Sequence, residues 1–316
     1  MFISVKLKSF ILSKLKLVFQ VIILGFVGRY FLNHISDFKH LLSIDFKWLP
    51  ILFFLSVFSL IPVALEFNYS SKLFNLHLKA KEWIGLSVIN TFYNQILPLS
   101  SGVFIRGVYL KKKFDLDYSK YSGLMGVSLI LNILTGCIVA LLIGVFGPFE
   151  VTYITEISIS LSIILISCIV FYLSVKKLTK IDLRIKFVNN FILSVNDGID
   201  LIQENKKFMS TILLIQLLMN LGFGLRLFLC FWILNLEVSF LIVIFVQSLT
   251  MLTTLISITP GNIGIREAII GNMQVFLGVS FEESVLAATL DRIISLIIIL
   301  VLGMYFNFTL IQKELK

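Results

Sequence analysis

The chain has 316 residues, of which 58% are hydrophobic and only 14% charged, and its mean hydropathy is +0.99. Soluble domains carry about a quarter charged residues, so these values exclude a soluble catalytic domain and indicate a polytopic membrane protein, with 1–316 as one integral membrane domain. The net charge of +9 comes from 27 Lys plus Arg against 18 Asp plus Glu and lies in loops, a pattern that orients a membrane chain and attracts anionic headgroups rather than nucleic acid.

A spanning helix needs about 20 mainly apolar residues. Lys6, Lys8, Lys14 and Lys16 open the chain around the first apolar run, 15–32; no small-residue cleavage site follows it, so the run is expected to stay as the first helix. A second span follows at 48–67, and then a broken segment at 83–110. Further spans read at 121–146, 153–175, 208–234 and 240–258, a second broken segment at 259–278, and a last span at 284–310. The expected fold is an all-α membrane helix bundle with seven or eight spans and two broken or re-entrant elements.

Loops rich in Lys and Arg stay cytoplasmic. The amino-terminal tail, the loop with Lys72, Lys79 and Lys81, the run Lys111, Lys112 and Lys113, and the loop 176–207 are basic, whereas 147–150 and 235–237 hold no lysine. The chain is therefore expected in the inner membrane with its N-terminus cytoplasmic. The first broken segment becomes a re-entrant hairpin, and the second is expected to enter from the same side; Lys313 and Lys316 are too few to fix its exit. Pro98, Gly102 and Tyr118 align loosely with Pro260, Gly264 and Phe281, which marks 84–147 and 240–310 as candidate repeat units, a duplication common in transporters.

The broken segments carry the candidate chemistry. One runs from Asn94 through Pro98 and Gly102 to Arg106, the other through Pro260, Gly261, Asn262 and Gly264 to Arg266 and Glu267. Broken backbone at membrane depth persists only where protein or a wet cavity satisfies it. Proline ends helices, and Ser100 or Ser101, and Asn262 or Gly261, are expected to cap the helices that restart. A helix starting inside the membrane directs free amides at its surroundings, and arginine pairs two-point with phosphate, so an anion is the expected occupant. Arg106, five residues from Lys111, reads first as an interfacial anchor; Arg266 reads as a site residue.

Asp291 and Arg292 lie about two turns into the last span, where a charge costs roughly 2.5 to 3.5 kcal/mol on insertion scales. Arg266 with Asp291 and Glu267 with Arg292 are the expected cross-helix pairs, in either a structural or a headgroup or proton-coupling role. Arg226, among glycines in mid-span, is expected to face inward, and Glu66 and Arg29 to be interfacial. Cys137, Cys168 and Cys230 sit in apolar runs and His34, His40 and His77 are scattered, so no metal or other cofactor is expected; no catalytic arrangement and no nucleotide-binding loop is found.

The residues 260–268, with Leu277, Gly278, Val279, Ser280, Glu282, Glu283, Ala287, Ala288 and Arg292, resemble the signature of the lysylphosphatidylglycerol synthase transmembrane region. That is the flippase-like domain of multiple peptide resistance factors and of free-standing bacterial and archaeal membrane proteins. The first unit matches through Asn94, Pro98, Gly102 and Arg106, and the resemblance covers nearly the whole chain. The chain departs from the family at Val103, where an acidic residue is usual, and at Ser128, Leu129 and Asn132, where the family usually carries a Glu-Arg pair and an Asp. Full-length members add a cytosolic domain that transfers an aminoacyl group from transfer RNA to phosphatidylglycerol. No such domain is read before Lys316, so the resemblance implies the lipid-translocating half alone.

The expected function is a flippase for a lipid or lipid-linked precursor with a polar cavity for an anionic headgroup. The alternatives are a membrane component of phosphatidylglycerol aminoacylation acting with a separate catalytic chain, and a scaffold for envelope glycan or lipid enzymes. Membrane lipids are the expected partners, with an envelope-biosynthesis enzyme or a second copy as further ones.

Overall fold

The computed structural model describes residues 46–97, 100–147, 158–159, 161–166, 193, 206–256 and 259–312. The expected first span with its lysines and Arg29, most of 153–175, nearly all of the loop 176–207, Pro98, Cys168, His34, His40, Lys313 and Lys316 lie outside the described residues. Among the described residues every regular element is helical.

The first described span is two helices, α1 (Leu49–Phe58) and α2 (Leu60–Ser71), separated by Ser59. Pro62 explains the break: it has no amide to donate to the Phe58 carbonyl, and its ring crowds that carbonyl. Two helices of less than bilayer length follow, α3 (Ala80–Ile96) and α4 (Ser101–Phe114). At 1.5 Å per residue they measure about 25 and about 21 Å, against about 30 Å of hydrocarbon. They pack antiparallel, and the Lys113 ammonium lies 3.0 Å from the Glu82 carboxylate, which ties the outer ends of the pair together. Near the tip, a Cβ on Gly102 would come 1.9 Å from the Asn90 carbonyl oxygen, so only glycine lets the two backbones approach this closely. The first broken segment is thus a hairpin, as the lysines require.

A left-handed Asp115 (φ 52°) turns the chain into α5 (Tyr118–Phe146). After α6 (Lys206–Ile233), a turn at Asn235 leads to α7 (Phe240–Thr250), continued by one 3-10 stretch at Met251–Ile256 and followed by another at Pro260–Asn262. Then come α8 (Ile265–Asn272), the single turn α9 (Gln274–Leu277) and the long α10 (Phe281–Phe306). Ser280 starts α10 with a reciprocal cap: its hydroxyl accepts from the Glu283 amide at 3.2 Å, and the Glu283 carboxylate accepts from the Ser280 amide at 2.8 Å.

Among the described residues four stretches are long and apolar enough to cross a membrane: Leu49–Phe74, Tyr118–Phe146, Lys207–Ile233 and Phe281–Ile311. They coincide with four of the expected spans. The expected span at 240–258 does not form one. Its apolar helical stretch, Phe240–Thr254, is shorter, and the chain returns beside it, with the Phe276 ring 5.9 Å from that of Phe245. Residues 240–277 are therefore a second hairpin, a polar turn at 259–264 joining two arms.

Pair contacts fix how the hairpins are set. Trp48 meets Trp232 at 4.4 Å and Tyr69 stacks on Phe208 at 5.1 Å, so α1 and α2 run antiparallel to α6. Asn220 donates to the Ser248 hydroxyl at 2.8 Å, and Gly224 lies against Ile244, so α7 runs antiparallel to α6. The far end of α10 packs Phe306 and Leu310 against Gly85 of α3. Lys72, Lys79, Lys81, Lys111, Lys112, Lys113, Lys207 and the chain at Leu310 therefore share one end, while Trp48, Trp232, Glu237 and Glu282 mark the other. The first hairpin opens to the lysine-bearing end and the second to the opposite end. This corrects the expectation that both enter from one side. That expectation counted 240–258 as a crossing, which reverses the sense of everything after it.

Within lipid the packing comes from small residues that admit neighbours. Phe92 fills the place of a side chain at Gly303, and Ile244 does so at Gly224. The tips of the two hairpins meet inside the bundle.

Candidate functional site

The site forms where the hairpin tips touch. Gly261 has a left-handed backbone (φ 56°), and a Cβ on it would come 1.9 Å from Gln95 Oε1 and 3.3 Å from Arg292 Nη1. The left-handed conformation favours glycine there, and the Gln95 side chain occupies the space a Cβ would take. The sequence signal of a Pro-Gly turn thus corresponds to a contact between the end of α3 and the turn before α8.

Two ion-pair groups converge behind this contact. Asp291 of α10 is fully buried and receives two arginines: Arg226 of α6 holds both carboxylate oxygens, and Arg266 of α8 approaches Oδ2 at 3.0 Å. Arg226 also donates to the Ser59 hydroxyl at the break between α1 and α2, at 3.2 Å. Arg292 pairs with Glu267 and donates to the carbonyls of Gly261 at 2.8 Å and Asn262 at 3.5 Å. Both expected pairs, Arg266 with Asp291 and Glu267 with Arg292, are formed.

Together these groups wall a cavity of about 330 Å³. Its polar lining includes Gln95, Asn132, Gln247, Arg226, Arg266 and Arg292, and Met219, Phe223 and Met251 are among its apolar walls. Three guanidinium groups face two carboxylates, Asp291 and Glu267, which leaves one net positive charge. Gln95 Oε1 and Asn132 Oδ1 are buried without a hydrogen-bond partner. Such an arrangement favours an anion that also offers a donor, because buried polar atoms left unpaired are costly.

The remaining expected residues hold the frame. Asn94 Oδ1 accepts from the Gly102 amide at 2.7 Å, so the start of α4 is capped across the hairpin by α3 and not by Ser100 or Ser101. Ser100 is itself left-handed (φ 53°) and makes no cap. Asn262 donates to Thr253, and the helix start of α8 is Gly264, whose amide donates to Glu267 at 2.9 Å. One amide at each start, that of Gly102 and that of Gly264, is thus bonded to a side chain of the protein, and three arginines line the cavity. Pro260 opens the turn without lining the cavity.

Arg106 corrects the sequence reading most. It is buried, neither an interfacial anchor nor a member of the central cluster: it donates to the Tyr121 hydroxyl at 2.7 Å and to Met125 sulfur at 2.8 Å, with its guanidinium 4.2 Å from the Phe67 ring centre. Glu66 was also expected at the interface but accepts from Gln216 at 3.2 Å within the bundle. Sequence reasoning left Gln95 and Gln247 unremarked and gave Arg226 a minor place. The usable signal was neutral amides and a guanidinium embedded in apolar runs, where polar groups face inward.

The family model described as the lysylphosphatidylglycerol synthase TM region matches residues 14–303, and the chain belongs to that family. No curated protein and no solved structure matches the chain.

Proposed function

We propose that this member of the lysylphosphatidylglycerol synthase TM-region family moves an amphiphile with an anionic headgroup, a phospholipid or a lipid-linked phosphate, between the leaflets of the cytoplasmic membrane. One observation carries the reading: the net-positive cavity lies where two half-length hairpins of opposite sense meet. Transporters place their sites at such junctions of broken helices, because irregular backbone is tolerated where it lines a polar cavity. By the positive-inside rule the lysine-bearing end faces the cytoplasm, with the N-terminus on that side.

The chemistry follows from competition for Arg266. Its Nη2 is shared between Asp291 at 3.0 Å and Gln247 at 3.4 Å, so an arriving phosphate competes with a carboxylate for one guanidinium. Occupancy loosens α8 from α10 while Arg226 keeps Asp291 paired. Headgroup binding thereby couples to the packing of the second hairpin, and the acyl chains stay in lipid. Arg292, by contrast, is engaged by Glu267 and two backbone carbonyls and ties α10 to the turn and to α8.

Purified protein in liposomes with fluorescent phosphatidylglycerol, polyprenyl phosphate and phosphatidylcholine tests this. Transfer of an anionic probe is expected above empty vesicles. Arg266→Ala, checked for folding by gel filtration, lowers it about tenfold or more, the loss expected for a charge-assisted hydrogen bond; Arg106→Ala leaves the headgroup preference unchanged. No transfer for any probe by the folded wild-type protein overturns the proposal.

A further inference from the structure

A second cavity lies on another face, between α2, α3 and α10, and shares no lining residue with the central one. It is a slot of about 240 Å³ walled by Leu60, Ala64, Ile84, Val88, Leu302 and Phe306. The Ser87 hydroxyl that lines it is already bonded to the Trp83 carbonyl at 2.9 Å, so the slot presents hydrocarbon alone. Its outer wall continues onto exposed Ile61 and Leu65, so it opens sideways to the bilayer.

The lysine-bearing end of the slot has a different chemistry. Lys81 lies one turn before Ile84 on the same side of α3, and its ammonium sits 5.9 Å from the Tyr305 ring centre, beside slot-lining Phe306. Trp83 also lines the slot near this end, an amphipathic ring of the kind that settles at headgroup level. A cation and aromatic rings above a dry apolar slot complement the two halves of a glycerophospholipid.

We infer that the slot holds one acyl chain of an anionic phospholipid from the lysine-bearing leaflet, with the phosphate on Lys81. This lipid is a resident component that fills the seam between α2, the first hairpin and α10, and it is distinct from any cargo in the central cavity. Because it concerns binding at separate residues, it stands or falls independently of lipid transfer.

The test uses the full chain with Trp48→Phe and Trp232→Phe, which leaves Trp83 as the only indole. Reconstituted protein is titrated with phosphatidylglycerol or phosphatidylcholine brominated on the acyl chains, and Trp83 fluorescence is followed. Saturable quenching at low mole fraction is expected, with an about fivefold preference for the anionic lipid, the contribution of one lysine at a membrane surface. Lys81→Gln removes the preference, and Ala64→Leu, which fills the slot, removes the saturable component; Lys81→Gln serves alone where Ala64→Leu does not fold. Quenching that rises linearly with bromolipid and equally for both headgroups would show ordinary boundary lipid and overturn the inference. So would an absence of quenching, the result expected if the apolar run 15–32 of the same chain covers the slot.

Discussion

The two hairpins use charge in opposite ways. The first, α3 with α4, keeps the Glu82–Lys113 ion pair at the open end, holds the buried Arg106 on neutral groups of α2 and α5, and presents the uncharged Asn94 and Gln95 at its tip. The second, α7 to α9, carries Arg266 and Glu267 beside its tip, where they meet Asp291 and Arg292 of α10. A charge at the open end orients a hairpin against water and headgroups. A charge at the tip, at membrane depth, must be answered by another element, and that requirement draws helices from three parts of the chain onto one cavity.

Substitutions at the two ion pairs probe this contrast most strongly. Asp291→Asn removes the counter-charge of the buried Arg226 and the half-buried Arg266, and a loss of about 3 to 5 kcal/mol is expected for breaking a buried pair from one side. Thermal unfolding in detergent, followed by fluorescence gel filtration, measures it; a change no larger than that of a surface mutant would place the cluster in water and erase the difference between the hairpins. Next come the tip glycines. Gly102→Ala drives a methyl into the Asn90 backbone and is expected to cost about 1 to 3 kcal/mol in stability, whereas Gly261→Ala displaces only the end of the Gln95 side chain and costs about 1 to 2 kcal/mol for its left-handed backbone. The hairpins should part in function, because only Gly261 borders the cavity: Gly261→Ala lowers lipid transfer beyond its effect on stability, and Gly102→Ala does not.

Smaller effects sharpen the picture. Asn94→Ala removes the cap on α4 and is expected to cost about 1 kcal/mol, with Asn94→Asp retaining most of it, since either side chain accepts from the Gly102 amide. Glu82→Gln keeps an acceptor for the Lys79 amide but gives up the ion pair with the partly exposed Lys113; it is expected to cost about 1 kcal/mol, and the difference from wild type shrinks as salt is raised. A larger, salt-independent loss would mean that this end is as dry as the tip.

The resemblance between the two motifs hid the difference between their arginines. Arg106 follows Gly102 by four residues, whereas Arg266 follows Gly264 by two. At about 100° per residue, that offset turns the side chain about 200° around the helix. Arg106 therefore faces Tyr121 and Phe67, and Arg266 faces Asp291. The run 240–258 misled for another reason. Hydropathy reports how apolar a stretch is, and an arm of a hairpin packed among other helices is as apolar as a span.

From the sequence alone came the membrane class, the four long helices, the positions of both breaks and the two cross-helix pairs, because bilayer thickness and the cost of buried charge act on local composition. The tertiary structure decided the opposite sense of the hairpins, the meeting of Gln95 with Gly261, the recruitment of Arg226 to Asp291 and the separation of Arg106 from the site. These depend on which face each helix turns inward and which end it shares with its neighbours, quantities fixed only when distant segments pack.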